Sequence, residues 1–126
     1  MRRLLLLLMC CLLLAGCAPR AVTPRNGVYR MSVPPETIDV PSLLLDAESA
    51  SFSFGYDALS SYLSIGSYEQ DGSVLRCVTA DGLYTYLFRV VNETPLAFIE
   101  EGSAEVRLTD ARLGAPVVDG SVFLLD

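Results

Sequence analysis

The sequence predicts an all-β protein, a small antiparallel barrel or sandwich of about eight short, hairpin-connected strands behind an N-terminal signal segment. Three observations carry this. Apolar residues after position 26 alternate with period two, and no window shows the 3.6-residue stripe of an amphipathic helix. Asp-Gly pairs at 71–72, 81–82 and 119–120 punctuate β-rich runs, as hairpin turns do. Of the 126 residues, those behind the leader can enclose one hydrophobic core but not two, so a single β domain is expected over 27–126.

The chain opens on Arg2 and Arg3, continues as an apolar run from Leu4 to Leu14, and reaches Leu14-Ala15-Gly16-Cys17. The apolar run is too short to span a bilayer. The arrangement resembles a bacterial lipoprotein signal, with an ordinary secretory signal as the alternative. The resemblance implies that residues 1–16 are a signal peptide cut before Cys17, and that the Cys17 thiol carries diacylglycerol. The expected location is then the extracellular face of the cell membrane, held by the lipid. Residues 17–26 are the lipidated cysteine and a tether. Ala18 to Asn26 has two prolines and no apolar periodicity, and its reach is up to about 30 Å.

Strands follow in order. They are expected near Val28–Val33 and Leu43–Leu45, and over Ser51–Phe54, where Ser-Phe-Ser-Phe puts Phe52 and Phe54 on one face. Asp57 to Tyr62 is either one helical turn with Asp57 as its N-cap or a tight loop. Asp71-Gly72 turns Ser67–Glu69 into Ser73–Leu75. The strongest signal is Val74 to Val91, two β-rich runs around Asp81-Gly82. A type I′ turn there pairs Ala80 with Leu83, Thr79 with Tyr84, Cys77 with Tyr86 and Leu75 with Phe88. Leu75, Cys77, Tyr84, Tyr86, Phe88 and Val90 then share the core face, opposite Arg76, Val78, Thr85, Leu87 and Arg89. Asn92 to Pro95 is a turn, Leu96–Glu100 a strand, and Asp119-Gly120 joins Pro116–Val118 to Val122–Leu124.

Composition narrows the chemistry. All nine basic residues are arginines, and the chain has no histidine, lysine or tryptophan. The commonest general base and metal ligand are therefore missing, as are Ser-Lys dyads and Schiff-base lysines. Ser60 and Ser61 have no such base to activate them. The net charge of −6 becomes −8 once cleavage removes Arg2 and Arg3, which argues against nucleic acid and anionic headgroups as partners. Cys10 and Cys11 leave with the leader and Cys17 takes the lipid, so Cys77 is alone; on the core face it is expected to be buried and inert.

Phe52-Ser53-Phe54, Leu59 to Tyr62, Ile65 to Glu69, Asp81 to Phe88 and the closing Pro116 to Phe123 together resemble a small β-rich domain of Firmicutes cell-envelope proteins. That domain occurs in short lipoproteins and at the extracellular end of some transmembrane metallopeptidases similar to β-lactam sensors. The likeness covers most of residues 50–124 and implies no catalytic residue, and this chain has no histidine for a zinc motif. It implies a single-membrane bacterial source.

Two candidate sites remain. Tyr62, Tyr68, Tyr84 and Tyr86 could line a pocket for a small amphipathic ligand, or be half-buried packing. Glu93, Glu100, Glu101 and Glu105 could offer oxygens to calcium, but without an EF-hand loop they read as a solvated surface. Glu100 and Glu101, as strand neighbours, would point to opposite faces and so form no glycosidase pair. No cofactor, metal or catalytic residue is expected. The expected function is a lipid-anchored binding or accessory module contacting another envelope protein; the alternative is a lipocalin-like carrier or sensor of a small amphipathic ligand.

Overall fold

In the computed structural model, which describes residues 22–126, the chain forms a closed antiparallel barrel in which each strand pairs with the next and the last returns to the first. The expected signal peptide at 1–16, Cys17 and the start of the expected tether lie outside the described residues. The strands are β1 (Gly27–Met31), β2 (Ser42–Asp46), β3 (Ser51–Gly55), β4 (Ser64–Asp71), β5 (Val74–Thr79), β6 (Thr85–Val90), β7 (Leu96–Ile99) and β8 (Val122–Leu125). Closure leaves no sheet edge, which settles barrel against sandwich.

Strict inward alternation makes the core. Phe52 and Phe54 of β3, Leu75 and Cys77 of β5, and Tyr86, Phe88 and Val90 of β6 are all buried. The β5–β6 register has the expected pairs Leu75 with Phe88 and Cys77 with Tyr86. Phe54 is the centre of the packing. Its ring lies 5.0 Å from Tyr86, 5.1 Å from Tyr56, 5.4 Å from Phe88 and 6.0 Å from Phe123, mostly edge to face.

Several local expectations are corrected. The Asp81-Gly82 turn is not type I′, because Gly82 has φ of 74° while Ala50 is the sole non-glycine residue with positive φ among those described. Gly82 N–H instead donates to Thr79 O at 2.8 Å, and Thr79 N–H to Tyr84 O at 2.9 Å, so the loop spans 80–83 and Ala80 does not pair with Leu83. Tyr84 therefore sits on the rim, exposed, and not in the core. Pro116–Val118 is no strand: β8 is flanked by β7 and β1, and Val118 to Ser121 is a turn closed by Ser121 N–H to Val118 O. Glu100 and Glu101 lie past the end of β7, in a turn closed by Ser103 N–H to Glu100 O.

Residues 22–26 are docked against the barrel. Pro24 is buried, Gln70 Nε2 donates to Val22 O at 2.6 Å, and Ala47 N–H donates to Asn26 Oδ1 at 2.7 Å. Arg25 pairs with Glu93 at 2.9 Å, and Tyr29 OH donates to Arg25 O. One proline ring and a few hydrogen bonds suffice here, and neither leaves a periodic trace in sequence.

Cys77 is fully buried, and burial pushes its thiol up to about 12. Burial also raises Tyr86, Tyr29 and Tyr68. The unfolded thiol ionises above about pH 9 while the folded one keeps its proton until about 12, so the folded state binds more protons in that window. Stability is expected to fall as pH rises above about 9, read by urea midpoints at successive pH values. Iodoacetamide should leave Cys77 unmodified in the native barrel and label it fully in denaturant. Labelling at the free-thiol rate under native conditions would mean the interior opens.

Candidate functional site

The up-and-down topology sorts the connections by end. Segments 47–50, 72–73 and 91–95 lie at one end of the barrel, beside residues 22–26. The long connections 32–41, 56–63 and 100–121, with the 80–84 turn, all lie at the other.

The 100–121 segment covers that end. Ala104 and Val106 pack against the core, and Ala115 and Val117 are buried in it. Period-two alternation in the extended stretch then turns Glu105 and Arg107 outward together, as an ion pair at 2.9 Å. The pairing holds Glu105 below the usual carboxylate range.

The loops are tied to one another. Ile38 and Asp39 N–H both donate to Leu113 O, at 3.1 and 2.8 Å, and Ala58 N–H donates to Asp39 Oδ2 at 2.6 Å. Asp57 starts no helix; its carboxylate accepts from Leu59 N–H at 3.1 Å, Thr109 N–H at 2.8 Å and Thr109 Oγ1 at 2.6 Å. These bonds, Thr109's first, hold Asp57 below its ordinary value. Asp57→Ala is expected to free the 104–113 stretch. Hydrogen exchange at Thr109 and Leu59 should speed up several-fold while β5 amides stay protected; unchanged exchange would mean the loops hold together without it.

Between these loops lies a cleft. One part, about 350 Å³, is lined by Tyr56, Ser60, Tyr62, Tyr84, Glu105 and Arg107. A second part, about 300 Å³, shares Tyr56, Ser60 and Tyr62 and runs toward Asp39 and Ser64. The Tyr62 and Tyr84 rings meet at 5.2 Å and 75°. Tyr62 OH donates to Asp81 Oδ2 at 2.6 Å, while Asp81 Oδ1 accepts from Thr79 Oγ1 and Leu83 N–H. The Asp81 bond raises the Tyr62 phenol, and the Thr79 and Tyr62 bonds lower the Asp81 carboxyl. Asp81 thus builds the turn and fixes the ring.

Of the four tyrosines singled out in the sequence, Tyr62 and Tyr84 line the cleft. Tyr86 is buried below it, its hydroxyl 3.4 Å from those of Tyr56 and Ser64. Tyr68 lies elsewhere, half-buried on β4 opposite Cys77. The quartet is therefore not one pocket. Tyr56 and Arg107 were missed; the signal for Tyr56 is its place two residues beyond Phe54, one step past the rim on the inward parity. Glu93 and Glu105 pair with different arginines, and among the described residues no group of three or more carboxylates or thiols is placed to hold a metal.

Carboxylates gather at the same end. Loop 32–41 contributes Glu36 and Asp39, 56–63 contributes Asp57, and 80–84 contributes Asp81. Segment 100–121 adds Glu100, Glu101, Glu105, Asp110 and Asp119. Against these stand two arginines, Arg107 and Arg112, each already paired, with Glu105 and with Asp110. Ile38, Leu59, Leu63 and Leu83 are exposed on these loops. Comparison with protein-family models, with curated proteins and with solved structures finds no match.

Proposed function

We propose that the protein is a lipid-anchored binding module of the cell envelope, without enzymatic activity, whose binding face is the long-loop end of the barrel. The observation that carries this is polarity: every long connection, the cleft and the exposed Leu59, Leu63 and Leu83 lie at the end opposite the docked residues 22–26. If Cys17 is in the membrane, the stretch to Val22 spans at most about 18 Å, and the long loops face away from the lipid. Two or three acyl chains hold such a domain durably.

An interior filled around Phe54 and covered by Ala104, Val106, Ala115 and Val117 favours surface capture over a ligand enclosed in the barrel. The cleft brings together hydroxyls, carboxylates and one arginine, with no histidine or lysine to act as a base.

Two measurements test the reading in the full chain expressed in a bacterial host. Cys17→Ser is expected to move the protein from the membrane fraction to the medium or leave it as precursor; retention of a palmitate-labelled membrane band would overturn the anchor. A photocrosslinker at Leu83 should capture an envelope protein that the same group at Glu48, on the short-loop end, does not. Capture from Glu48 alone would overturn the assignment of the face.

A further inference from the structure

We propose that the Tyr62–Tyr84 cleft seats a lysine or arginine side chain from a basic, apolar segment of a partner protein. This rests on the long-loop end being the binding face and adds the chemistry of what it binds. Tyr62 and Tyr84 both line the cleft, meet edge to face at 75° and are each exposed, and the Tyr62 ring is held in place by its hydroxyl bond to Asp81. An exposed aromatic ring attracts a cation through its quadrupole. The Glu105 carboxylate lies in the same cleft, and Asp81 lies behind Tyr62.

The surrounding field has the matching sign. Arg107, the one cation lining this part of the cleft, is already paired with Glu105 at 2.9 Å, and the loops around it carry the excess of carboxylates described above. An anionic ligand would enter against that field. A second copy of this chain is disfavoured for the same reason, since each copy brings the same acidic end. Leu63 and Leu83, the chain neighbours of Tyr62 and Tyr84, and Leu59 on the same loop as Tyr62 are exposed, and they suit the aliphatic stem of the cation and the apolar residues next to it in the partner. Because Asp57, Asp39 and Leu113 tie the loops together, the partner segment meets a largely pre-formed surface.

The test uses the full chain in a non-ionic detergent and a fluorescent ten-residue peptide of Lys, Leu and Gly, with a Glu-for-Lys peptide and protein-free detergent as references. Anisotropy should show binding of the lysine peptide alone, weakening as salt rises from about 0.05 to about 0.3 M. Tyr62→Ala and Tyr84→Ala should each weaken it about tenfold. Glu105→Gln should weaken it and flatten the salt dependence, and Tyr68→Phe, away from the cleft, should leave it unchanged. All four positions are at least partly exposed, so the barrel should survive these changes; retained near-ultraviolet circular dichroism checks this. Equal binding of the acidic peptide, full binding by both tyrosine variants, or no binding of the lysine peptide overturns the proposal. A crosslink from Leu83 to an acidic or uncharged partner segment would overturn it too, while leaving the long-loop end as the binding face.

Discussion

Phe54→Ala is expected to cost the barrel about 4 kcal/mol and lower its Tm by roughly 20 °C. The side chain is 2% exposed and its ring packs on Tyr56, Tyr86, Phe88, Phe98 and Phe123, side chains from β6, β7, β8 and the rim. Those rings approach from different strands of a closed barrel, so they cannot collapse into the space as neighbours on one flexible loop could. A large residual cavity is the expected outcome, and cavity volume adds to the lost transfer energy. Against a typical domain stability of about 5–15 kcal/mol, the variant would be marginal at 37 °C. Urea unfolding followed by near-ultraviolet circular dichroism measures it. A loss under about 1 kcal/mol would mean that the interior already contains space, which would revive a ligand held inside the barrel. Phe54→Leu, which keeps most of the volume, should cost less than half as much.

The parts of this fold that were legible in the sequence are those fixed by parity. Ser51 to Phe54, Val74 to Thr79 and Thr85 to Val90 alternate so regularly that a one-residue slip would expose Phe52, Cys77 and Phe88, and the observed faces of these strands follow, Tyr84 at the turn between the last two excepted. What parity cannot reach is closure. Pro116–Val118 has a strand's composition beside an Asp-Gly pair, yet β8 finds β7 and β1 on either side, leaving Val117 to cover the end of the core. The Asp81-Gly82 turn shows the same limit on a smaller scale. Its glycine was informative, but Asp81 turns its carboxylate to Thr79, Leu83 and Tyr62 and keeps ordinary backbone geometry.

The cleft was half legible for that reason. Tyr62 and Tyr84 stood out as tyrosines, but what separates them from Tyr68 and Tyr86 is distance from the rim, which depends on where each strand stops. Glu105 and Arg107 belong to a segment that looks like loop in sequence. They face the cleft because Ala104 and Val106 between and beside them are drawn onto the core.

Gly66→Ala is expected to be the most damaging alanine substitution among the described glycines, costing about 3 kcal/mol or more. The reason is space, since Gly66 is not among the glycines with positive φ. A Cβ at Gly66 would lie inside van der Waals contact of the Val78 carbonyl oxygen and 2.9 Å from the Ala80 nitrogen and the Thr79 carbonyl carbon. All three are backbone atoms of β5 or its end, so no rotamer change relieves the overlap. The strands are also bound at this point, with Gly66 opposite Thr79 and Ala80 N–H donating to Ile65 O at 2.9 Å. Separating them breaks ladder hydrogen bonds in the pair that leads into both Tyr62 and Tyr84. The variant should therefore lower the urea midpoint sharply and, in whatever fraction stays folded, weaken binding at the cleft. Gly55→Ala is the matched control: its added methyl would meet only Ser42 Oγ, at 3.8 Å, so stability should change by less than about 1 kcal/mol. Equal stability of the two variants would mean that β4 and β5 do not approach as closely as this geometry requires.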